Sequence, residues 1–133
     1  MTENSAERFL ALKAVMMPRD TNEHGTIFGG VLLSYIDQAG AVGAQHEIRR
    51  AGWGSRPIVT VAMNGVEFHQ PVFVGDIVSF RTALVRAGNT SITMHVIVEA
   101  DREEQAVKLT EAEVTYVTVE LIDGHPRPVN MRG

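Results

Sequence analysis

Asp37 and the adjacent pair Gly29 and Gly30 are the residues of this chain whose types and spacing lend themselves to chemistry. They belong to one stretch, Asp20-Thr-Asn-Glu-His-Gly-Thr-Ile-Phe-Gly-Gly30, which runs into Val-Leu-Leu-Ser-Tyr-Ile-Asp-Gln-Ala-Gly40. The polar, glycine-punctuated first half predicts a tight loop, and the second half, apolar at spacings of three and four, predicts a helix. First-turn N–H groups lack intrahelical partners and sit at the positive end of the helix dipole. Without side chains at Gly29 and Gly30, a carbonyl oxygen or an anion can approach them closely. Two turns on, Asp37 lies one turn after Leu33 and one before Gly40 and Ala41, at the border of the apolar face. A carboxylate there is paired, hydrogen-bonded, or poised for acid–base work with a raised pKa; a solvated Asp on the helix shoulder is the alternative. His24 is a second candidate base, although a loop contact is the favoured reading. Ser34 has no Gly-x-Ser-x-Gly elbow and no evident His and acid partners.

These residues need a helix from the glycine pair to about Arg50, ended by the breakers of Ala51-Gly-Trp-Gly-Ser-Arg-Pro57. Its face of Ala39, Gly40, Ala41, Gly43 and Ala44 has almost no side-chain height, and each interior Gly costs about 1 kcal/mol relative to Ala. Close approach by a wrapped sheet or by a second copy of the helix would offset that. Before the loop, Phe9 to Met17 has strand length and stops at Pro18; after the helix, everything reads as strand. Ile58 to Met63 is β-branched, and the parity change at Asn64-Gly65 predicts a β-bulge before Val66 and Phe68. Gly75-Asp76 turns the chain into a strand from Ile77 to Val85, and Ala87-Gly-Asn-Thr90 reads as a hairpin loop. In Ser91 to Glu99, Ile92, Met94, Val96 and Val98 alternate with polar Ser91, Thr93 and His95, a half-buried strand. A charged loop at 101–105 leads to a last long strand from Ala106 to Leu121, and Asp123-Gly124 to an irregular tail over 123–133. Residues 1–8 read as a frayed N-terminus. One helix covers five or six antiparallel strands only if the sheet curls around it, and the sheet's edges favour pairing with a second copy.

With 133 residues the chain is one domain. No apolar run approaches the length needed to span a bilayer, and the acidic, polar N-terminus shows no secretory signal. The absence of cysteine excludes disulfides, thiolate ligands and Cys nucleophiles, and suits the cytoplasm. A net charge of −4 argues against general nucleic-acid binding. His69 and His95 have no partner at ligand spacing, so no metal is expected; Glu67 reads as a strand-edge charge.

Strand, Gly-Gly loop, glycine-rich helix and wrapped antiparallel sheet resemble the hotdog fold, an α+β class. More narrowly, Met17-Pro18, Asp20-Thr-Asn22, His24-Gly25, Ile27-Phe-Gly-Gly30 and Ile36-Asp37, then Val59-Thr60-Val61, Phe68, Pro71-Val72, Val74-Gly75-Asp76, Arg86-Ala-Gly88 and Thr90-Ser91, resemble the acyl-CoA thioesterases of that fold. These are the short bacterial acyl-CoA hydrolases and their brain-type relatives, and the likeness spans roughly residues 9 to 120, within a domain over 9–122. It implies hydrolysis of an acyl-CoA thioester to a carboxylic acid and CoA, as in fatty acid metabolism. Asp37 matches the general base or nucleophile, Asn22 the residue that orients thioester or water, and Gly29 and Gly30 would polarise the carbonyl. The family site lies between protomers, one giving Asn22 and the other Asp37, in dimers that also assemble as hexamers. No cofactor is implied beyond the CoA of the substrate, because a thiolate leaves readily without a metal.

Phe28 would lie against the substrate. For the CoA phosphates the first choice is Arg86 with the hairpin residues Gly88, Asn89, Thr90 and Ser91, then Arg127, then Arg56. Leu33, Tyr35, Met63 and Phe68 are candidates for setting pocket depth. Two other functions fit the fold: a hydratase or dehydratase on 3-hydroxyacyl or enoyl thioesters, and a non-catalytic acyl-CoA-binding sensor. The hydratase reading expects a His before the Gly-Gly pair, where this chain has Phe28. The sensor reading expects a DNA-binding segment, for which the eight polar residues before the first strand leave no room.

Overall fold

A computed structural model describes residues 8–54 and 56–132. The segment expected to fray therefore lies, apart from Arg8, outside the described residues. The chain forms β1 (Phe9–Val15), a 3-10 turn (Pro18–Asp20), α1 (Gly29–Arg50), β2 (Ile58–Phe68), β3 (Ile77–Ala87), β4 (Ser91–Arg102), β5 (Gln105–Ile122) and β6 (His125–Pro128). All pairings are antiparallel, in the order β1-β3-β4-β5-β2 with β6 added to β5. The sheet is thus six-stranded; β1 and β2 end the main order, and β6 is a short further edge strand on β5.

The alternation in β4 does what its spacing requires: Ile92, Met94, Val96 and Val98 are fully buried against α1. Leu32, Ile36, Ala39, Ala44 and Ile48 face them from the helix. The two glycines in the middle of the helix, Gly40 and Gly43, are met closely by the sheet. A Cβ at Gly40 would lie 2.2 Å from the Tyr116 hydroxyl, and one at Gly43 would lie 2.3 Å from Thr82 Oγ1. Of the two occupants expected for the small-residue face, the wrapped sheet therefore meets Gly40 and Gly43. The bulge in β2 falls between Asn64 and Glu67, with Gly65 at φ +62. A second register shift, at Val61 between Thr60 and Ala62, has no glycine to announce it.

Three expectations are corrected. The first strand ends at Val15, and Pro18 starts a 3-10 turn in which its missing N–H costs nothing. The charged loop at 101–105 is a two-residue hairpin turn: Glu103 and Glu104 take φ +51 and +65, matching the twist of the flanking strands at a step where Asn-Gly is the usual signal. The tail expected to be irregular over 123–133 carries a strand at its start. Asp123-Gly124 folds it back, and β6 pairs Pro126 with Leu121 and Pro128 with Val119. The prolines alternate, so their missing donors fall on one side of an edge strand. Beyond β6, Val129 N–H donates to Thr118 O (2.9 Å) and Met131 N–H to Asn89 O (2.9 Å), the Met131 side chain is buried, and the Arg132 guanidinium lies 4.6 Å from the Trp53 ring centre.

Candidate active site

The helix start is built by its loop. Asn22 Oδ1 accepts from the N–H groups of His24 (2.8 Å) and Thr26 (3.2 Å), and its Nδ2 donates to Thr26 Oγ1 (2.7 Å). Ile27 N–H donates to Val72 O and Phe28 N–H to Asp20 O, delivering the chain to Gly29. The N–H groups of Gly29 and Gly30 have no acceptor among the described residues. Gly30 has open space where a side chain would stand, whereas Gly29 faces the Phe68 ring, 3.2 Å from where its Cβ would be. A cavity of about 350 Å³ opens beside them, lined by Thr26, Gly29, Leu32, Phe68, His69 and Val72 among others. Phe28 is exposed at the mouth of the helix. Of the residues named for pocket depth, Phe68 lines this cavity, while Leu33, Tyr35 and Met63 pack against the core.

Asp37 is half-buried and held from two strands. Its Oδ1 accepts from Thr60 Oγ1 of β2 (2.7 Å), and its backbone carbonyl accepts from the Tyr116 hydroxyl of β5 (2.6 Å). Burial, and then the Asp37 charge, push the Tyr116 phenol far above its usual range, so it stays a donor. Thr60 and Tyr116 are register partners, so their side chains share a face. Neither anchor was assigned a role from the sequence; the available signal was a hydroxyl amid the apolar run of β2.

Within one chain, Asn22 and the glycines form one group and Asp37, Thr60 and Tyr116 another. Gly30 and Asp37 are seven residues apart on α1, about 10 Å at the helical rise. No hydrogen bond joins Asn22 to Asp37 among the described residues. His24 is exposed; its backbone N–H donates to Asn22 Oδ1, and its ring lies 3.5 Å from the carboxylate of the neighbouring Glu23. Ser34 Oγ, also exposed, accepts only from Gln38, at 3.4 Å.

The hairpin named for CoA contact is ordered by its own bonds and by the tail. Gly88 N–H donates to Ser91 O (2.8 Å), closing the hairpin. Thr90 O accepts from Thr118 N–H (2.8 Å), and Ser91 opens β4. Arg86 on β3, Asn89 in the loop and Arg127 on β6 are exposed. Arg56 is half-buried behind α1, where Gln45 Nε2 donates to its carbonyl (2.8 Å), which places its backbone in a structural contact.

His69 and His95 do have a common partner, Glu111 on β5, which no local spacing reveals. Glu111 takes His69 Nε2 at 2.7 Å, His95 Nε2 at 3.1 Å and Lys108 Nζ at 2.8 Å. The Lys108 bond, assisted by both histidines against the effect of burial, holds its carboxyl at about 2. Glu67 stands opposite Glu111 across the strand pair, 3.5 Å from His69, closer to this network than its reading as a strand-edge charge implied. Glu67, His69 and Glu111 have ligand atoms within 4.8 Å of one another, so they are the described residues best able to hold a metal. Both Glu111 oxygens are, however, already engaged by cationic or N–H partners.

The sequence pattern of the Thioesterase superfamily matches residues 24–107. The acyl-CoA thioester hydrolase YciA of Salmonella typhimurium is 38% identical over 98% of this chain and 97% of its own length. A hexameric hotdog-fold thioesterase of Campylobacter jejuni superposes with a TM-score of 0.77 at 42% identity, covering 91% of this chain and 90% of that one. The acyl-CoA hydrolase of Staphylococcus aureus, as an Asn-to-Ala variant with coenzyme A, superposes with a TM-score of 0.74 at 27% identity over 90% of this chain and 68% of that one; an Asp-to-Ala variant has also been solved. No described helix is long and apolar enough to cross a membrane. The fold, the open helix start and these likenesses make the chain a member of the thioesterase superfamily, on the hotdog fold and alongside the acyl-CoA thioester hydrolases.

Proposed function

We propose that the protein hydrolyses acyl-CoA thioesters to the free acid and CoA, with Asp37 as the essential carboxylate. The observation that carries this reading is the pairing of an anchored, half-exposed carboxylate with unoccupied N–H groups at the start of the same helix. Gly29 and Gly30 N–H groups take the thioester oxygen as it gains charge; Asp37 either removes a proton from the attacking water, giving the acid directly, or attacks the carbonyl carbon to form a mixed anhydride that water then hydrolyses, and in both routes CoA departs as thiolate. The two replaced residues of the Staphylococcus aureus relative, an Asn and an Asp, stand fifteen positions apart, as do Asn22 and Asp37.

One carbonyl must lie about 3 Å from both its oxyanion donors and its attacking group. With about 10 Å of helix between Gly30 and Asp37, one chain does not satisfy both. A second copy supplies the missing half, so that Asn22 and the glycines of one subunit face Asp37 of the other. The exposed edge β2, with Val59 and Val61 uncovered beside Thr60, is the surface for that contact. The CoA phosphates then fall to Arg86, Asn89 and Arg127.

The test is thiol release from short, long and aromatic acyl-CoAs by wild type and Asp37→Ala; the protein has no cysteine to react with the reagent. Wild type is expected to cleave and Asp37→Ala to lose at least about 100-fold in kcat with an unchanged melting curve. Absence of cleavage by wild type, or full activity in the variant, overturns the reading.

A further inference from the structure

We infer that Tyr116 is a positioning residue for Asp37, and that Gly40 is glycine so that the Tyr116 hydroxyl can reach the Asp37 carbonyl. The inference rests on the thioesterase reading above for its kinetic consequence, but its geometry stands independently. Tyr116 is 1% exposed, and its hydroxyl donates to the main chain of α1 at Asp37, close to the carboxylate of the same residue. That approach passes over Gly40, where any Cβ would sit 2.2 Å from the hydroxyl oxygen and 3.1 Å from Cζ. A glycine inside a helix is unfavourable, and here the return is one hydrogen bond to the one residue whose side chain faces chemistry.

Thr60 and Tyr116 are opposite each other on β2 and β5. One hydroxyl takes the carboxylate and the other the carbonyl of the same residue. Asp37 is thereby tied at both its side chain and its backbone to one rung of the sheet. A helix packed on a sheet by apolar contacts alone can slide or rotate by fractions of an ångström at little cost, because such contacts have no direction. A hydrogen bond at 2.6 Å does have direction, and it fixes the turn that carries Asp37. Misplacement of a reacting group by about 1 Å costs up to about 100-fold in rate, so small slippage is a large kinetic loss.

The deciding variants are Tyr116→Phe, Gly40→Ala and their combination in the full chain. Tyr116→Phe keeps the ring and removes the hydroxyl; kcat is expected to fall about 10-fold with KM for acyl-CoA unchanged and thermal unfolding little altered. Gly40→Ala pushes the hydroxyl away and is expected to give a similar loss, while the double variant loses no more than either alone, because all three abolish one contact. Amide exchange at Asp37 and its helical neighbours, expected to quicken in Tyr116→Phe, reads the anchor without activity. Unchanged kcat in Tyr116→Phe when wild type is active, or losses that multiply in the double variant, overturn the positioning role. If wild type cleaves nothing, the thioesterase reading falls, and exchange alone decides: unaltered protection at Asp37 then overturns the anchor too.

Discussion

Thr82 shows how tightly residue identities are set around the helix. Its side chain fills the space above Gly43, its Oγ1 is buried with no hydrogen-bond partner among the described residues, and its branched β-carbon leaves little rotational freedom. Gly43→Ala should gain about 1 kcal/mol of helix propensity, yet lose more through forced overlap, for a net destabilisation of about 1–2 kcal/mol in denaturant titrations. In a Thr82→Ala background the same change should cost less, because Oγ1 and Cγ2 are gone, although the Cβ that alanine keeps still stands 2.8 Å from the new methyl group. An equal penalty in both backgrounds would mean that the close approach of the Thr82 side chain does not govern this position. The spacing of Gly40 and Gly43 made a flat helix face legible in the sequence. What meets that face was not legible, since Tyr116 and Thr82 arrive from strands far along the chain in a register that local patterns do not encode.

Among the elements, β2, β4 and β5 are joined on the side of the sheet away from α1 by the polar hub at Glu111. Its folded carboxyl lies at about 2 against an ordinary 4.5, held down first by Lys108 and then by His69 and His95. A depressed carboxyl stabilises the folded state above its unfolded value, and that contribution disappears as pH falls from about 4.5 toward 2. Glu111→Gln should therefore melt lower than wild type at pH 7, with the gap narrowing through that acid window. A constant gap from pH 7 to pH 2.5 would show that the carboxylate's charge is not what the hub uses. Helix start, β4 alternation and the Gly65 bulge followed from periodicity and glycine placement. The hub did not, because its members come from β2, β4 and β5 and lack any shared spacing, and β6 was hidden by two prolines that usually mark irregular chain.

At the scale of the whole molecule, the two halves of the site lie apart on one subunit, which gives a sharp expectation for mixing. Asn22→Ala and Asp37→Ala should each be nearly inactive. When equal amounts are dissociated and reassembled, hybrid dimers carry one site with both native residues and one with neither. About a quarter of wild-type activity should return. No recovery, with hybrids demonstrated by mass, would place both residues in a single-chain site. The C-terminal strap adds something of practical use. Trp53 is the sole tryptophan of the chain, and Arg132 lies on its ring while the neighbouring Met131 is tied to Asn89 in the β3–β4 hairpin. The protein thus carries its own optical reporter: undocking of the strap changes the surroundings of one indole, so unlabelled emission spectra can follow the segment that braces the hairpin named for CoA.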